Sequence, residues 1–156
     1  MHIVYAKEHP PAAYTKSLFL AGPSPRKPED PDWRGRALEF LEHLGYDGVV
    51  YVPLPRDGEW PASYVDQVAW ERRYLDIADS IAFWVPRDLE RLPGFTTNVE
   101  FGMYLDSGRI VLGHPEGAPK TRYLDYHIQA RKHVVHKTLE ATLRARPLQN
   151  SSSKQE

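Results

Sequence analysis

Four short apolar runs, each closed by a glycine or proline, constrain this chain more than any other feature. They are SLFLAG (17–22), GVVYVP (48–53), SIAFWVP (80–86) and RIVLG (109–113). Runs of this length that do not alternate with polar residues read as strands buried on both faces, the mark of a parallel sheet. HVVH (133–136) is a short candidate fifth. Helical patterns separate them. Trp33, Ala37, Phe40, Leu41 and Leu44 keep a helical period, with Asp32 expected as N-cap and Gly45 as the stop. Residues 63–78 read as a second helix, capped by Ser63-x-x-Asp66, with Tyr64, Val68, Leu75 and Ala78 as its expected buried stripe. A third is expected over 97–107, opened by the capping box Thr97-x-x-Glu100 and stopped by Gly108. TRYLDYHIQARK and KTLEATLRAR complete the helical segments. Strand and helix alternating at this spacing predict one α/β domain: a doubly wound parallel sheet of four or five strands with flanking helices and right-handed crossovers.

The chain is 156 residues long, enough for one domain with a real core. Twenty Lys and Arg nearly cancel 21 Asp and Glu, so no basic field exists to attract a nucleic-acid backbone. With no cysteine, disulfides, thiolate metal sites and a cysteine nucleophile are excluded. Seven histidines are scattered without ligand spacing, so no metal and no cofactor is expected. No GxGxxG, Walker or GxSxG motif occurs, which removes the dinucleotide, P-loop and α/β-hydrolase readings. The N-terminus lacks a signal-peptide layout and no apolar run reaches membrane-spanning length, so a cytoplasmic protein without membrane contact is expected. The polar LQNSSSKQE is expected to fray, setting the domain at 1–148 and a disordered tail at 149–156.

In a doubly wound sheet the ligand crevice lies beyond the carboxyl ends of the strands. The loops there, AGPSPRKPEDPD, PLPRDGEWPAS, PRDLERLPGFTT and HPEGAPKT, are all longer than usual strand-to-helix turns, as if they built a pocket. Two acids stand out near it. Glu100 is either half of the capping box or a carboxylate facing the crevice. Glu71 falls in the middle of an apolar helical stripe, where an acid is expensive unless paired; it is either half of a buried ion pair or a functional carboxylate with its pKa raised by burial. Seven residues into its helix, Glu71 reaches the crevice only if that helix protrudes above the sheet. Trp60, in a loop, is a candidate to stack on a flat base, whereas Trp84 reads as core.

The ordered blocks FLAGPSPR, QVAWERRYLDIADSIAFWVPRD, PGFTTNVEFGMYLDSGRIVLG and PKTRYLDYH resemble the nucleoside 2-deoxyribosyltransferases and the related nucleotide N-glycosidases, from about Ser17 to Tyr126. The resemblance implies a flavodoxin-like sheet, a small-molecule nucleoside or nucleotide as partner, and a homodimer or higher homo-oligomer. It implies that Glu100, in VEFG, is the nucleophile that forms a deoxyribosyl-enzyme ester, released to a second base or to water. Glu71, eight residues before Asp79, would protonate the departing base and deprotonate the incoming one. Asp88 would hold the base, and Ser24 and Arg26 a 5′-phosphate. Gly22, Asn98 and Trp60 complete the candidate substrate-binding set. Two departures stand out: Glu71 replaces the usual Asp, and Phe19 stands where the transferases have a tyrosine that orders the nucleophile, leaving Tyr51 or another group to substitute. Besides transfer, the sequence leaves open hydrolysis to free base and a catalytically silent nucleotide-binding module. A flavin mononucleotide binder is disfavoured, because the loop after the first strand lacks a Ser/Thr-rich phosphate cradle.

Overall fold

A computed structural model describes residues 1–145. The elements run β1 (His2–Tyr5), β2 (Ser17–Ala21), α1 (Arg34–His43), β3 (Val49–Val52), α2 (Tyr64–Ile77), β4 (Ser80–Trp84), α3 (Phe95–Tyr104), β5 (Ile110–Gly113), α4 (Arg122–Ala130), β6 (Val135–His136) and α5 (Leu139–Arg144). The expected tail at 149–156 lies outside the described residues.

All six strands are parallel, in the order β1-β3-β2-β4-β5-β6. Without β1 this is the flavodoxin order, in which the chain first winds outward to β3 and then returns past β2 to build the other half. The count exceeds the expected four or five because β1 joins the sheet at its edge. HIVY buries only Val4 fully, and its partner lies 47 residues on, His2 pairing with Val49. An exposed edge strand carries no continuous apolar signal.

Residues alternate across the sheet. Phe19, Tyr51, Ile81 and Phe83 face α2, α3 and α4, packing with Trp70, Tyr74, Phe101, Leu124 and Ile128. Leu18, Leu20, Val50, Ala82 and Trp84 face α1 and α5, packing with Trp33, Ala37, Leu41 and Leu139. Trp84 is core, as the sequence suggested. Among the described residues, no helix is long and apolar enough to cross a membrane.

Three local expectations change. Helix α3 begins at Phe95, two residues before Thr97, with Gly94 as N-cap at φ 66° and no side-chain cap. Thr97 is therefore inside the helix and buried, the capping box does not form, and Glu100 lies on the second turn. In α2 the buried stripe is Gln67, Trp70, Tyr74 and Leu75, while Tyr64 and Val68 are exposed. Ser63 does cap α2, but it accepts from the Val65 N–H at 3.2 Å rather than from Asp66. Asp32 accepts from the Arg34 N–H at 3.1 Å, one position before the formal N-cap Trp33, and Gly45 stops the helix at φ 66°.

Candidate active site

The loop that leaves β2 is built from residues that admit few substitutes. Gly22 turns the chain at φ 150°, and a Cβ there would fall 2.1 Å from the Trp84 carbonyl oxygen. The carbonyls freed at this turn are collected by Arg34, which is only 1% exposed. Its guanidinium donates to the Gly22 oxygen at 2.8 Å, to Leu20 at 3.2 Å and to Pro23 at 3.4 Å. Trp33 Nε1 adds a bond to the Pro23 oxygen at 3.0 Å. The first turn of α1 thus clamps the carboxyl end of β2.

Beyond that clamp a cavity of about 470 Å³ opens between the protruding halves of α2 and α3. Glu71, the eighth residue of α2, and Glu100, the sixth of α3, both line it. At 1.5 Å per residue they lie roughly 10 and 7 Å from their helix starts, and both reach the same cavity. Gly22, Ser24, Arg26 and Trp60 line the same cavity, as do Gln67, Tyr64, Gly94, Phe95 and Thr96. Gly94 is required for a close approach as well as for its φ, since a Cβ would meet Pro23 Cγ at 2.8 Å.

The two acids are electrostatically linked. Burial and then the charge of Glu71 push the Glu100 carboxyl up to about 8, against the pull of Arg34. Burial also raises Glu71, opposed by a hydrogen bond from Gln67 and by Arg34. Gln67 Nε2 donates to Glu71 Oε1 at 2.6 Å, while Glu100 has no hydrogen-bond donor among the described residues. The two carboxyls therefore resist simultaneous ionisation, and Glu100 keeps its proton up to about 8. On the second turn of α3, desolvation is the largest influence on Glu100. Among the described residues Glu71 forms no ion pair: the nearby Arg34 donates to backbone carbonyls and lies 3.7 Å from Asp32, and reaches Glu71 only as a charge.

The remaining candidates sit elsewhere. Asp88 borders a separate hollow of about 410 Å³ with Trp33, Arg87 and Pro115. It accepts from the Glu90 and Arg91 N–H groups at 2.9 and 3.0 Å and pairs with the Arg91 side chain at 3.3 Å. Asn98 is exposed and accepts from Arg87 Nη2 at 2.5 Å; the same arginine donates to the Lys120 carbonyl at 2.7 Å. Phe19 is core, and Tyr51 stacks on Tyr74 with its hydroxyl 3.0 Å from that of Tyr14, so neither is on the cavity wall.

Arg34 and Gln67 escaped the sequence reading. Arg34 keeps an i, i+3, i+7 relation to Ala37 and Leu41, the same charge-on-an-apolar-stripe signal that singled out Glu71. Gln67, four residues before Glu71, was hidden by a stripe drawn one position off.

Over residues 15–118, two thirds of the chain, the sequence matches the family described as nucleoside 2-deoxyribosyltransferase like. No curated protein matches it.

Proposed function

The chain belongs to the nucleoside 2-deoxyribosyltransferase-like family, and we propose that it breaks the N-glycosidic bond of a 2′-deoxyribonucleoside or its 5′-monophosphate with retention. The observation that carries this reading is that Glu71 and Glu100 line one cavity and the charge of Glu71 raises the Glu100 carboxyl. Two carboxyls flanking a glycosidic bond, one ionised and one protonated, are what a double displacement needs.

The reaction needs the shared proton on Glu71. The Glu100 carboxylate then attacks C1′ as the C1′–N bond breaks, and the departing base nitrogen takes the proton of Glu71. The products are free base and a deoxyribosyl ester on Glu100. In the return step Glu71, now ionised, removes a proton from an incoming base or from water, whose nucleophilic atom displaces Glu100 from C1′. Arg34 keeps the pair at a single negative charge through both steps. The base lies on the α2 side, where Trp60 and Tyr64 offer flat aromatic surfaces, and the 5′ end points to Ser24 and Arg26.

Assembly belongs to the same reading. Phe95, Val99 and Met103 form an exposed i, i+4, i+8 stripe on α3, and Tyr64, Val65 and Val68 are exposed on α2. An apolar surface of this kind beside the cavity mouth supports a homo-oligomer that covers it.

The test is incubation of the protein with a 2′-deoxynucleoside and a second free base, followed by chromatography. Exchanged nucleoside identifies transfer, and free base with free sugar identifies hydrolysis. Binding without turnover would reduce the protein to a nucleotide-binding module and end the enzymatic reading.

A further inference from the structure

Gln67 stands one turn before Glu71 on α2, and its hydrogen bonding is directed wholly at that acid. Its Nε2 donates to Glu71 Oε1 at 2.6 Å, the one hydrogen bond Glu71 makes among the described residues. The amide oxygen is shielded from solvent and has no partner among the described residues. Gln67 is only 6% exposed, so this carbonyl is held without water and lowers stability. Amide–carboxylate pairs at i, i+4 also support ordinary helices, but on exposed faces they leave no carbonyl stranded. An amide buried at this cost calls for a reason beyond packing, and the acid it grips supplies one.

Resting on the glycosidic reading above, we propose that Gln67 is the positioning residue of the acid–base step, holding one oxygen of Glu71 and leaving the proton to the other. An amide N–H donates and cannot accept, so Oε1 cannot carry a hydrogen toward it. The proton of Glu71 is therefore confined to Oε2. In the first half-reaction the C1′–N electron pair goes to the base nitrogen, which takes the Oε2 proton and leaves Glu71 ionised. In the second, Oε2 takes a proton back from the incoming base or water. Both transfers use the same oxygen, and the bond at Oε1 stays in place, so the carboxyl need not turn between them. A carboxyl already aimed loses less freedom on reaching the transition state. A neutral donor suits this task. A lysine or arginine in its place would hold Glu71 ionised and spoil it as an acid, whereas an amide grips either form. The charged groups that act on this pair are Arg34 on α1 and Glu100 on α3, and neither is hydrogen-bonded to Glu71.

The experiment measures kcat and KM of the wild type and of Gln67→Met, which keeps the size of the side chain and removes the amide. One substrate is a 2′-deoxynucleoside; the other is 4-nitrophenyl 2-deoxyribofuranoside, whose leaving group departs as a stable anion and needs no proton. On the nucleoside kcat should fall by roughly ten-fold or more, with KM little changed. On the nitrophenyl sugar the fall should be several-fold smaller. Equal slowing of both substrates, with the fold intact by circular dichroism, would make Gln67 a packing residue and overturn the proposal. The wild type gives a second reading that needs neither a variant nor turnover. In NMR spectra the side-chain N–H signals of Gln67 should shift as Glu71 ionises, and signals that ignore that titration would overturn the contact. If the wild type turns over neither substrate, the glycosidic reading falls and takes the positioning role with it; turnover with equal slowing removes the role of Gln67 alone.

Discussion

Glu100 shows at the scale of one residue how environment sets chemistry. Its neighbours in sequence suggested a helix cap, and its position on the second turn makes it a half-buried, desolvated acid instead. Glu100→Gln keeps the shape and removes the proposed nucleophile, so turnover should fall on the order of 10^4-fold or more; residual exchange near the wild-type rate would remove Glu100 from the mechanism. The raised pKa also has a consequence for stability. An acid whose folded pKa lies above its unfolded value of 4.5 binds its proton more tightly when folded. Its contribution is fully present below about 4.5 and is lost as pH rises through about 8. Urea midpoints of the wild type should therefore fall across that window. Glu100→Gln should flatten the curve and be the more stable protein above pH 8, by on the order of 2 kcal/mol. Turnover should likewise decline above about 8, where the pair loses its shared proton and Glu71 has none to give.

At the scale of elements, the site depends on how α1 meets β2. Arg34 holds three carbonyls of the turn around Gly22. Arg34→Met would take the guanidinium donors from the Leu20 and Gly22 carbonyls and leave Pro23 with Trp33 alone, at a cost of roughly 3 kcal/mol by urea unfolding. In the same variant the Glu71–Glu100 pair loses the cation that favours its ionised form, so the acid limb of the pH–rate profile should move to higher pH. A loss of stability with an unmoved profile would make Arg34 a structural clamp only. Helices α2 and α3 were legible as helices, but α3 starts two residues earlier than Thr97-x-x-Glu100 suggested. A glycine N-cap at φ 66° carries no side-chain signature, and the capping tetrapeptide looks the same whether or not the chain uses it. The α2 stripe was misdrawn for a related reason: periodicity reports a face only where something covers it.

At the scale of the whole molecule, the exposed apolar stripe on α3 predicts self-association. Val99→Asp places a charge at its centre, and light scattering coupled to gel filtration should show a smaller species than the wild type; a wild-type monomer at micromolar concentration would remove the assembly proposal. The alternation of apolar runs with helical segments determined the α/β class and the parallel sheet, because period and run length are local properties that the sheet merely collects. It also picked out Glu71, since a charge on an apolar stripe is anomalous before any fold is known. What the tertiary structure alone decided was neighbourhood. Chain segments far apart in number bring Glu71, Gln67 and Glu100 to one cavity, with the charge of Arg34 nearby, while Asp88 and Asn98 fall beside Arg87 on the neighbouring side. Desolvation and electrostatic coupling depend on distances through space, and no spacing along a chain encodes those.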